Sequence, residues 1–461
     1  MHTAFDPWRS ATVAADVALA SRARAANLAE RQERRLRDLL EAAVQRSPMY
    51  RRLLHGRGGE LRLGDLPVAR KAGLMRAFDT WCCDPSLRLE PLRRFVADPG
   101  NIGQPFLDRY IVWESSGSSG EPAIFVQDAA AMAVYDALET LRKPDLRPLR
   151  RLIDPFGLTE RIVFVGAIGG HFASTVSIER LRRLNPVLSQ SIASVSFLQP
   201  IESIVAQLEA SRPTVLATYP SAAVLLAGEF RVGRLRCAPK EVWTGGETLT
   251  PGMRSFVQET FGCRVVNSYG ASEFLSLACE CSHGALHLNS DWAILEPVDG
   301  HDEPVEPGTP GATTLLTNLA NHAQPIIRYD LGDRVAVQAV PCDCGSLLPV
   351  IEVNGRCDDT LQLGTRTSRR VRVLPLALCT VLEDGAGLFD FQLVQDGLRE
   401  LSLSTPAHGP AARAALQRGR SALGAFLEEQ GAGTVRIRCQ SGHPPRRGRS
   451  GKLQRVIGWV E

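Results

Sequence analysis

The central part of the sequence, residues 160–275, alternates short runs rich in β-branched residues with amphipathic segments of helical period. A strand–helix–strand order of this kind predicts a parallel sheet with right-handed crossovers. The fold class is therefore predicted to be α/β. The predicted strands are RIVFVG, PTVLATYPS, EVWTGGE and CRVVNSYGASE, and the predicted helices are IESIVAQLEA, SAAVLLAGEF and TPGMRSFVQETFG.

The predicted sheet also indicates where a ligand would bind. Loops that follow parallel strands all emerge at the carboxyl edge of the sheet, and open α/β folds bind their ligands there. We therefore expect three loops to lie together at this carboxyl edge, which we call the crest. They are Tyr219-Pro220-Ser221, Gly245-Gly246-Glu247 and Tyr269-Gly270-Ala271-Ser272-Glu273.

The regions on either side of this stretch have different patterns. Residues 11–55 have apolar positions at helical spacing and are predicted to be helical. In residues 285–355, strand-like runs alternate with turns at hairpin spacing, which predicts an antiparallel β subdomain. The chain beyond Gly355 mixes strands with a helix. We therefore predict a large N-terminal domain, residues 1–355, with parallel-rich sheets, and a small α+β C-terminal domain, residues 356–461.

Charge and composition exclude several classes of partner. The net charge of +3 gives no field that would require nucleic acid or an anionic membrane. No apolar run reaches the ~18–20 residues of a membrane span, and the N-terminus lacks the pattern of a signal peptide, so a cytoplasmic protein is expected. Eleven cysteines, an odd number, argue against a disulfide framework.

Lysine is scarce in this chain, because only four of the 53 basic residues are lysine. Where arginine has replaced lysine almost everywhere, a remaining lysine is a candidate for a role that arginine cannot fill. The alternative for each is chance placement on the surface. The four are Lys71, Lys143, Lys240 and Lys452.

A run of serine and glycine follows the apolar Ile111-Val112-Trp113. Small residues let backbone amides approach an anion closely, and hydroxyl groups add further donors. The run lacks Gly-Lys-Ser/Thr, so it is not a Walker loop, and an ordinary flexible turn is the alternative interpretation. It consists of Ser115, Ser116, Gly117, Ser118, Ser119 and Gly120, followed by Glu121-Pro122.

Three further motifs carry groups suited to nucleotide chemistry. In the segment from Tyr269 to Glu273, a ring can stack on a base, a hydroxyl can bind phosphate, and a carboxylate can hold Mg²⁺. In Arg328-Tyr329-Asp330-Leu331-Gly332-Asp333, an acid after a glycine turn can accept hydrogen bonds from ribose hydroxyls. Near the C-terminus, Gly448 to Arg455 forms a glycine-containing loop that presents Lys452.

The order and spacing of these motifs resemble the adenylate-forming acyl-CoA ligase superfamily, from about residue 100 to residue 461. Within it the chain is most similar to the phenylacetate–CoA ligase family. The motifs that carry this resemblance are Ser-Ser-Gly-Ser-Ser-Gly-Glu-Pro, Tyr-Pro-Ser, Ile-Arg-Tyr-Asp-Leu-Gly-Asp, Cys-Asp-Cys-Gly and Gly-Arg-Cys-Asp-Asp.

The resemblance implies an enzyme with a hinge and a mobile C-terminal domain. It implies that a carboxylic acid, aryl or arylacetic in this family, reacts with ATP to give acyl-AMP and pyrophosphate. The thiol of CoA then displaces AMP. The implied cofactors are ATP, Mg²⁺ and CoA, and a homodimer is consistent with the family.

The resemblance also assigns roles to individual residues. Ser115 to Gly120 would hold the β- and γ-phosphates, and Gly245, Gly246 and Glu247 would border the adenine and acyl sites. Tyr269 and Gly270 would lie against adenine, Ser272 would contact the α-phosphate, and Glu273 would bind Mg²⁺. Asp333 and Arg356 would hold the ribose, Asp358 would lie at the hinge, and Lys452 would bridge the attacking carboxylate and the α-phosphate.

One stretch departs from the family pattern. After Gly-Arg-x-Asp, the family has a glycine-containing segment that shapes the thiol-accepting face, and residues 360–370 match it poorly. Activation of the acid is therefore better supported than transfer to CoA. The acceptor could instead be the pantetheine of a carrier protein, or an amine.

Two cysteine-rich segments point to a metal. Cys281 and His287 form a Cys-x₅-His pair, and Cys342 and Cys344 form Cys-x-Cys, which together provide four ligands suited to tetrahedral Zn²⁺. Cys279 and His283 are substitute ligands. A structural zinc is favoured over a catalytic one, because four protein ligands leave no open position. The alternative is buried thiols and a surface histidine.

Two questions stay open at this point. A catalytically degenerate, zinc-containing binding homologue is the rival to an active enzyme, although Glu273, Asp333, Arg356 and Lys452 are all retained. The identity of the acid is not readable from the sequence. Its candidate pocket residues, for which core packing is the alternative role, are Phe164, His171, Phe172, Tyr219 and Trp243.

Overall fold

The structure is a computed structural model of the 461-residue chain. It describes residues 4–21, 23–54, 62–115, 122–143, 159–247, 249, 251–353, 361–364, 370–373, 375–388, 391–443 and 456–458. Among these residues, no helix is long and apolar enough to cross a membrane.

The described helices and strands are numbered separately in chain order. The α-helices are α1 Pro7–Ala20, α2 Ala25–Arg46, α3 Pro48–Leu54, α4 Lys71–Arg76, α5 Phe78–Trp81, α6 Leu89–Ala97, α7 Ala129–Leu141, α8 Ala173–Leu184, α9 Pro186–Ser189, α10 Ile201–Ser211, α11 Pro220–Arg231, α12 Pro251–Phe261, α13 Pro375–Ala386 and α14 Gly409–Glu429. Short 3₁₀ turns span Leu63–Asp65 and Pro99–Asn101.

The strands are β1 Ile111–Glu114, β2 Ile124–Gln127, β3 Ile162–Gly166, β4 Ile192–Ser196, β5 Val215–Thr218, β6 Glu241–Thr244, β7 Arg264–Ala271, β8 Phe274–Glu280, β9 Leu286–Leu288, β10 Ala293–Val298, β11 Thr313–Asn318, β12 Tyr329–Asp330, β13 Val335–Val337, β14 Val350–Val353, β15 Leu361–Gly364, β16 Arg370–Val373, β17 Gln392–Gly397, β18 Glu400–Thr405, β19 Arg436–Ser441 and β20 Val456–Ile457.

A nine-stranded mixed sheet dominates the fold, in the order β13-β14-β9-β8-β7-β6-β5-β3-β4. The pairs β4–β3, β3–β5, β5–β6 and β6–β7 are all parallel. This parallel half confirms the α/β prediction for residues 160–275. The strands are short, and most of their residues are buried, as expected when helices cover a parallel sheet.

The last parallel strand is longer than the sequence pattern predicts. We expected a turn from Tyr269 onward, but β7 continues to Ala271 and pairs antiparallel with β8. The register shifts between Tyr269 and Ala271, and a Cβ added to Gly270 would lie 1.9 Å from the Leu275 carbonyl oxygen. Glycine is therefore required where the two strands approach closely, and the turn shrinks to Ser272 and Glu273.

The antiparallel part of the chain is divided between two sheets. Strands β10, β11 and β12 form a separate three-stranded sheet, whereas β9, β14 and β13 extend the nine-stranded sheet beyond β8. The antiparallel pairing predicted for residues 285–355 is thus present in the described part of that segment.

The N-terminal region is helical as predicted, but it forms three separate helices and not one continuous helical stretch. Residues 7–54 form three helices, α1 to α3, separated near Ser21 and Ser47. Ser47 has extended backbone and precedes Pro48, the first residue of α3. A residue before proline is disfavoured in the helical region, which explains the second break.

The C-terminal part has the predicted mixture of strands and one long helix. Strands β19, β18, β17 and β20 form a four-stranded sheet that packs on α14. This region shares an apolar core with the parallel sheet, and Gln430 donates a 3.1 Å hydrogen bond to the Leu198 carbonyl. The predicted domain boundary at residues 355–356 lies outside the described residues, so the division into two domains stays a prediction.

Candidate functional site

The carboxyl ends of β3, β5 and β6 bring an aromatic group to the crest of the sheet. Tyr219 follows β5, and its ring centroid lies 6.3 Å from that of Phe164 and 5.8 Å from that of Phe197. Gly246, which follows β6, has a φ of +79°, and a Cβ added there would lie 3.1 Å from the Tyr219 ring. Glycine therefore suits both the backbone conformation and the close approach.

Burial, together with the negative charge of Glu247, raises the pKa of the Tyr219 hydroxyl to about 12. The crest thus combines an apolar aromatic wall with one carboxyl group on the loop after β6. Phe164, Tyr219 and the glycine loop meet there as the sequence predicts.

Two other candidate pocket residues pack against neighbouring side chains. His171 is 1% exposed, and its ring centroid lies 5.7 Å from that of Phe95. Trp243 donates its indole N–H to Glu241 at 3.0 Å, and the Lys143 ammonium lies 4.6 Å from its ring centroid.

Tyr269 and Asp333 are brought together from two distant parts of the chain. The Tyr269 hydroxyl donates a 2.9 Å hydrogen bond to the Asp333 carboxylate. The hydroxyl of the neighbouring Ser268 donates to the Thr244 carbonyl at 3.2 Å, which ties β7 to the end of β6. The predicted adenine-facing ring and the predicted ribose-binding acid are therefore adjacent and share a hydrogen bond.

The backbone of the turn between β7 and β8 is fixed by two other elements. The Trp113 indole in β1 donates to the Ser272 carbonyl at 2.7 Å. The Asn318 side chain in β11 donates to the Glu273 carbonyl at 2.8 Å. Because hydrogen bonds hold both carbonyls, the backbone that carries the Ser272 hydroxyl and the Glu273 carboxyl is fixed in position.

The Glu273 carboxyl is buried, with 9% of the residue exposed. Burial raises the pKa of this carboxyl, and the charge of Asp333 raises it further, whereas a hydrogen bond with the Tyr329 hydroxyl and the charge of Lys71 lower it. A buried carboxyl that is influenced by a second carboxyl is suited to a bound cation, which would offset negative charge there.

The predicted phosphate loop is anchored at its two ends. The Ser115 amide donates to the Ala123 carbonyl at 2.8 Å, and the Ala123 amide donates to the Ser115 hydroxyl oxygen at 2.9 Å. These bonds continue the β1–β2 hairpin up to the base of the loop. Several predicted site residues lie outside the described residues, namely Ser116, Gly117, Ser118, Ser119, Gly120, Arg356, Asp358 and Lys452.

The four predicted zinc ligands form one cluster. The donor atoms of Cys281, His287, Cys342 and Cys344 all lie within 4.8 Å of one another. The Cys281 and Cys342 sulfurs are 3.8 Å apart, and the Cys344 sulfur is 3.3 Å from His287 Nε2. Two thiolates bound to one tetrahedral zinc at about 2.3 Å would be about 3.8 Å apart, so the donor set fits that ion.

The orientation of the histidine ring supports the same donor set. His287 Nδ1 lies 2.8 Å from the Leu348 carbonyl, and a proton on Nδ1 leaves Nε2 free to act as a ligand. The substitute ligands do not join the cluster. Cys279 is buried in β8, 3.6 Å from the Ser276 hydroxyl, and the exposed His283 lies 3.2 Å from Ser282.

Sequence reasoning missed the residues that surround Glu273 from the N-terminal side. Ala69 forms a parallel bridge with Tyr329, and the charge of Lys71, two residues further on, lowers the pKa of the Glu273 carboxyl. The scarcity of lysine had already marked Lys71 as a candidate, but nothing in the sequence connected it with Glu273.

No protein-family model matches the chain. Over 371 residues it is 27% identical to a phenylacetate-coenzyme A ligase of Thermus thermophilus, and the match covers 76% of this chain and 74% of that protein. Over 104 residues it is 30% identical to protein CapK of Staphylococcus aureus, which covers 23% and 22% of the two chains.

Solved structures with the same fold include 2-hydroxyisobutyryl-CoA ligase. In its thioesterification state, with 2-HIB-AMP and CoA, it superposes with a TM-score of 0.56 at 20% identity, covering 93% of this chain and 90% of that chain. Its postadenylation state with 2-HIB-AMP gives a TM-score of 0.53 at 20% identity, covering 92% and 88%. The mixed α/β fold described above is therefore shared with this ligase.

Proposed function

We propose, on the premise that the chain is a homologue of phenylacetate-coenzyme A ligase, that it activates a carboxylic acid with ATP and passes the acyl group to the thiol of CoA. The observation that carries this proposal is the crest itself. There a buried Glu273, the Tyr269–Asp333 pair and the glycine loop after β6 lie on one edge of the sheet.

In the first half-reaction, a carboxylate oxygen attacks the α-phosphorus of ATP, and pyrophosphate leaves. Tyr269 would pack on adenine while its hydroxyl holds the Asp333 carboxylate in place for the ribose, where Arg356 would add a second contact. Glu273 would hold Mg²⁺, which neutralises phosphate charge when bound. Because the reaction brings two anions together, positioning and charge neutralisation are the main contributions that the protein can make.

In the second half-reaction, the acceptor thiol attacks the carbonyl carbon of acyl-AMP, and AMP leaves. CoA is the acceptor we propose, and a carrier-protein thiol or an amine is the alternative. The departure at residues 360–370 bears on the acceptor side alone. Comparing ATP–pyrophosphate exchange with acyl-CoA formation separates the two cases, since a chain that activates its acid but makes no acyl-CoA would require another acceptor.

The acid that we propose is aryl or arylacetic. The rings of Phe164, Phe197 and Tyr219 meet edge to face at the crest, and such a wall favours a flat aromatic substrate over a strongly polar one. A panel of carboxylic acids, assayed by pyrophosphate release, tests this assignment. Aromatic acids should give the highest kcat/KM values.

We also propose that Cys281, His287, Cys342 and Cys344 hold a structural zinc ion. The cluster lies next to the packing of the N-terminal helices, because Leu348, whose carbonyl faces His287, packs with Leu28 and Ala20. A closed four-ligand site contributes to folding and not to the reaction itself. The ion would therefore secure α1 and α2 against the sheet.

Loss of one zinc ligand is expected to destabilise the protein. The purified chain should contain about one zinc per chain, and Cys342→Ser should lose that zinc and lower the free energy of unfolding by at least about 3 kcal/mol. Elemental analysis and thermal unfolding measure the two effects, and hydrogen exchange should rise in α1 and α2. The matched control is His283→Ala, in the same segment but outside the cluster. A metal-free chain with unchanged stability would contradict the zinc proposal.

Two further proposals concern the chain as a whole. We propose a cytoplasmic location, with which the ten cysteines of the described residues, all free thiols, are consistent. A homodimer is proposed from the family resemblance. Measuring the molecular mass of the protein in solution tests this proposal.

A further inference from the structure

The β1–β2 hairpin, from which the predicted phosphate loop projects, has little support from other strands. Among the described strands, β1 and β2 pair only with each other. A two-stranded hairpin is marginally stable on its own in water, so other contacts must fix its position. The Trp113 indole ties β1 to the Ser272 carbonyl. The hydrogen bonds to β2 come from side chains of the segment that follows β11.

Gln324 takes the place of a neighbouring strand beside β2. Its side-chain oxygen accepts a 2.9 Å hydrogen bond from the Val126 amide, and its side-chain nitrogen donates to the Ile124 carbonyl at 3.1 Å. Asn321 donates to the Val126 carbonyl at 2.8 Å. Two buried amide side chains therefore satisfy backbone groups that a partner strand would otherwise bind.

The same segment holds the turn that carries Glu273. Asn318, the last residue of β11, donates to the Glu273 carbonyl at 2.8 Å and to the Tyr135 hydroxyl at 2.9 Å. The Tyr135 hydroxyl in turn donates to the side-chain oxygen of Gln127, the last residue of β2, at 3.2 Å. Asn318 thus contacts the turn directly and the hairpin through Tyr135.

Local hydrogen bonds keep these amide side chains in one arrangement. Asn318 Oδ1 accepts from the Ala320 and Asn321 amides at 2.9 and 3.3 Å, and Asn321 Oδ1 accepts from the Ala323 and Gln324 amides at 3.0 and 3.1 Å. Because backbone amides only donate, these bonds direct the side-chain nitrogens of both asparagines toward the turn and the hairpin. We call Asn318, Asn321 and Gln324 the amide bridge.

Packing alone does not explain three buried amides at this place. All three residues are fully buried, and apolar side chains would fill the same volume without the cost of removing polar groups from water. Hydrogen bonds add direction, which apolar contacts lack. A reaction that depends on positioning is sensitive to shifts of about 1 Å, so a directional link between hairpin and turn has a functional use.

We propose that Asn318 and Gln324 are positioning residues, and that the amide bridge sets the place of the β1–β2 hairpin relative to the Glu273 carboxyl. The phosphate loop and Glu273 can then act on the same triphosphate and its Mg²⁺. This inference rests on the proposed function. AMP lacks the β- and γ-phosphates, so its binding should not depend on the bridge.

The test compares Gln324→Met with Gln395→Met. Gln395 is a matched control because it is also buried, accepts from the Gln362 amide at 3.2 Å and donates to the Gln362 carbonyl at 2.5 Å. Calorimetry measures the affinities for AMP and for the non-hydrolysable α,β-methylene ATP, each with Mg²⁺. Gln324→Met should weaken the ATP analogue about 10-fold and AMP less than about twofold, whereas Gln395→Met should leave the ratio of the two affinities unchanged.

A double-mutant cycle separates positioning from a loss of stability. Both glutamine variants should melt a few degrees below the parent chain, because each leaves buried backbone groups unpaired. In the Glu273→Gln background, however, Gln324→Met should weaken the ATP analogue by less than about threefold, since the carboxylate that the bridge positions is gone. Asn318→Ser, which keeps one hydroxyl donor, is a milder second variant for the same cycle.

The outcomes distinguish this inference from the proposed function. An unchanged ratio of ATP-analogue to AMP affinity in Gln324→Met and Asn318→Ser, or losses that simply add in the cycle, would overturn the inference. If the cycle shows the expected coupling but the chain forms no acyl-AMP with any acid, the proposed function fails and the positioning role stands. A folded parent chain that binds neither nucleotide would overturn both.

Discussion

Lys452→Ala is expected to slow adenylation by about 10²–10³-fold, which is the size of effect seen when one transition-state charge contact is lost. The first half-reaction joins two anions, the substrate carboxylate and the α-phosphate, and the Lys452 ammonium would neutralise their repulsion. The second half-reaction contains no such pair. Thioester formation from supplied acyl-AMP should therefore remain close to that of the parent chain.

The measurement is ATP–pyrophosphate exchange with an accepted acid, run beside thioester formation from synthetic acyl-AMP. Lys452→Arg should recover only part of the exchange rate, because the guanidinium is larger and differently placed. Lys240→Ala is the control for loss of a lysine elsewhere. Exchange near the parent rate in Lys452→Ala would mean that Lys452 does not have the role that the family resemblance implies.

Glu273→Gln is expected to reduce exchange by a similar factor, about 10²–10³-fold, while leaving the fold intact. The substitution keeps the shape of the side chain and removes the charge that would hold Mg²⁺. The effect should be larger at low Mg²⁺ concentration. Exchange is measured against Mg²⁺ concentration at saturating ATP, with the exposed Glu306→Gln as the control.

The stability of the same variant has a definite expected sign. Burial raises the pKa of Glu273 above its usual value, so in the absence of Mg²⁺ the carboxylate destabilises the folded state at pH values above that raised pKa. That penalty is absent below the pKa of the unfolded chain, where the carboxyl is protonated in both states. Glu273→Gln should therefore unfold at the same or a higher temperature at pH 8. In the exchange assay, a Glu273→Gln rate equal to that of the parent chain would exclude the metal-binding role.

The sequence predicted the crest well because its signals are local. Alternating strand and helix patterns required parallel strands, and parallel strands place their following loops at one edge, so Tyr219 and Gly246 lie together as expected. The zinc cluster was predictable for a similar reason, since the short spacings Cys-x₅-His and Cys-x-Cys already favour a shared ion. Choosing Cys281 over Cys279 as a ligand is consistent with the burial of Cys279 inside β8.

Other features depend on contacts between distant segments, which no local pattern encodes. Strand β7 runs past the expected turn because pairing with β8 continues through Gly270, where glycine permits a close approach. The bridge between Ala69 and Tyr329 is equally remote in sequence, and it fixes the segment before α4 beside β12. Neither segment has a periodicity that distinguishes this arrangement from an ordinary loop.

The central claim is that this chain forms acyl-AMP, and ATP–pyrophosphate exchange by the unmodified protein tests it most directly. With Mg²⁺, ATP and labelled pyrophosphate, but without CoA, label should enter ATP only when an accepted carboxylic acid is present, and aromatic acids should be the best substrates. Adding CoA should then give AMP and acyl-CoA in equal amounts. A folded, zinc-loaded chain that binds ATP yet shows no acid-dependent exchange across the panel would contradict the account.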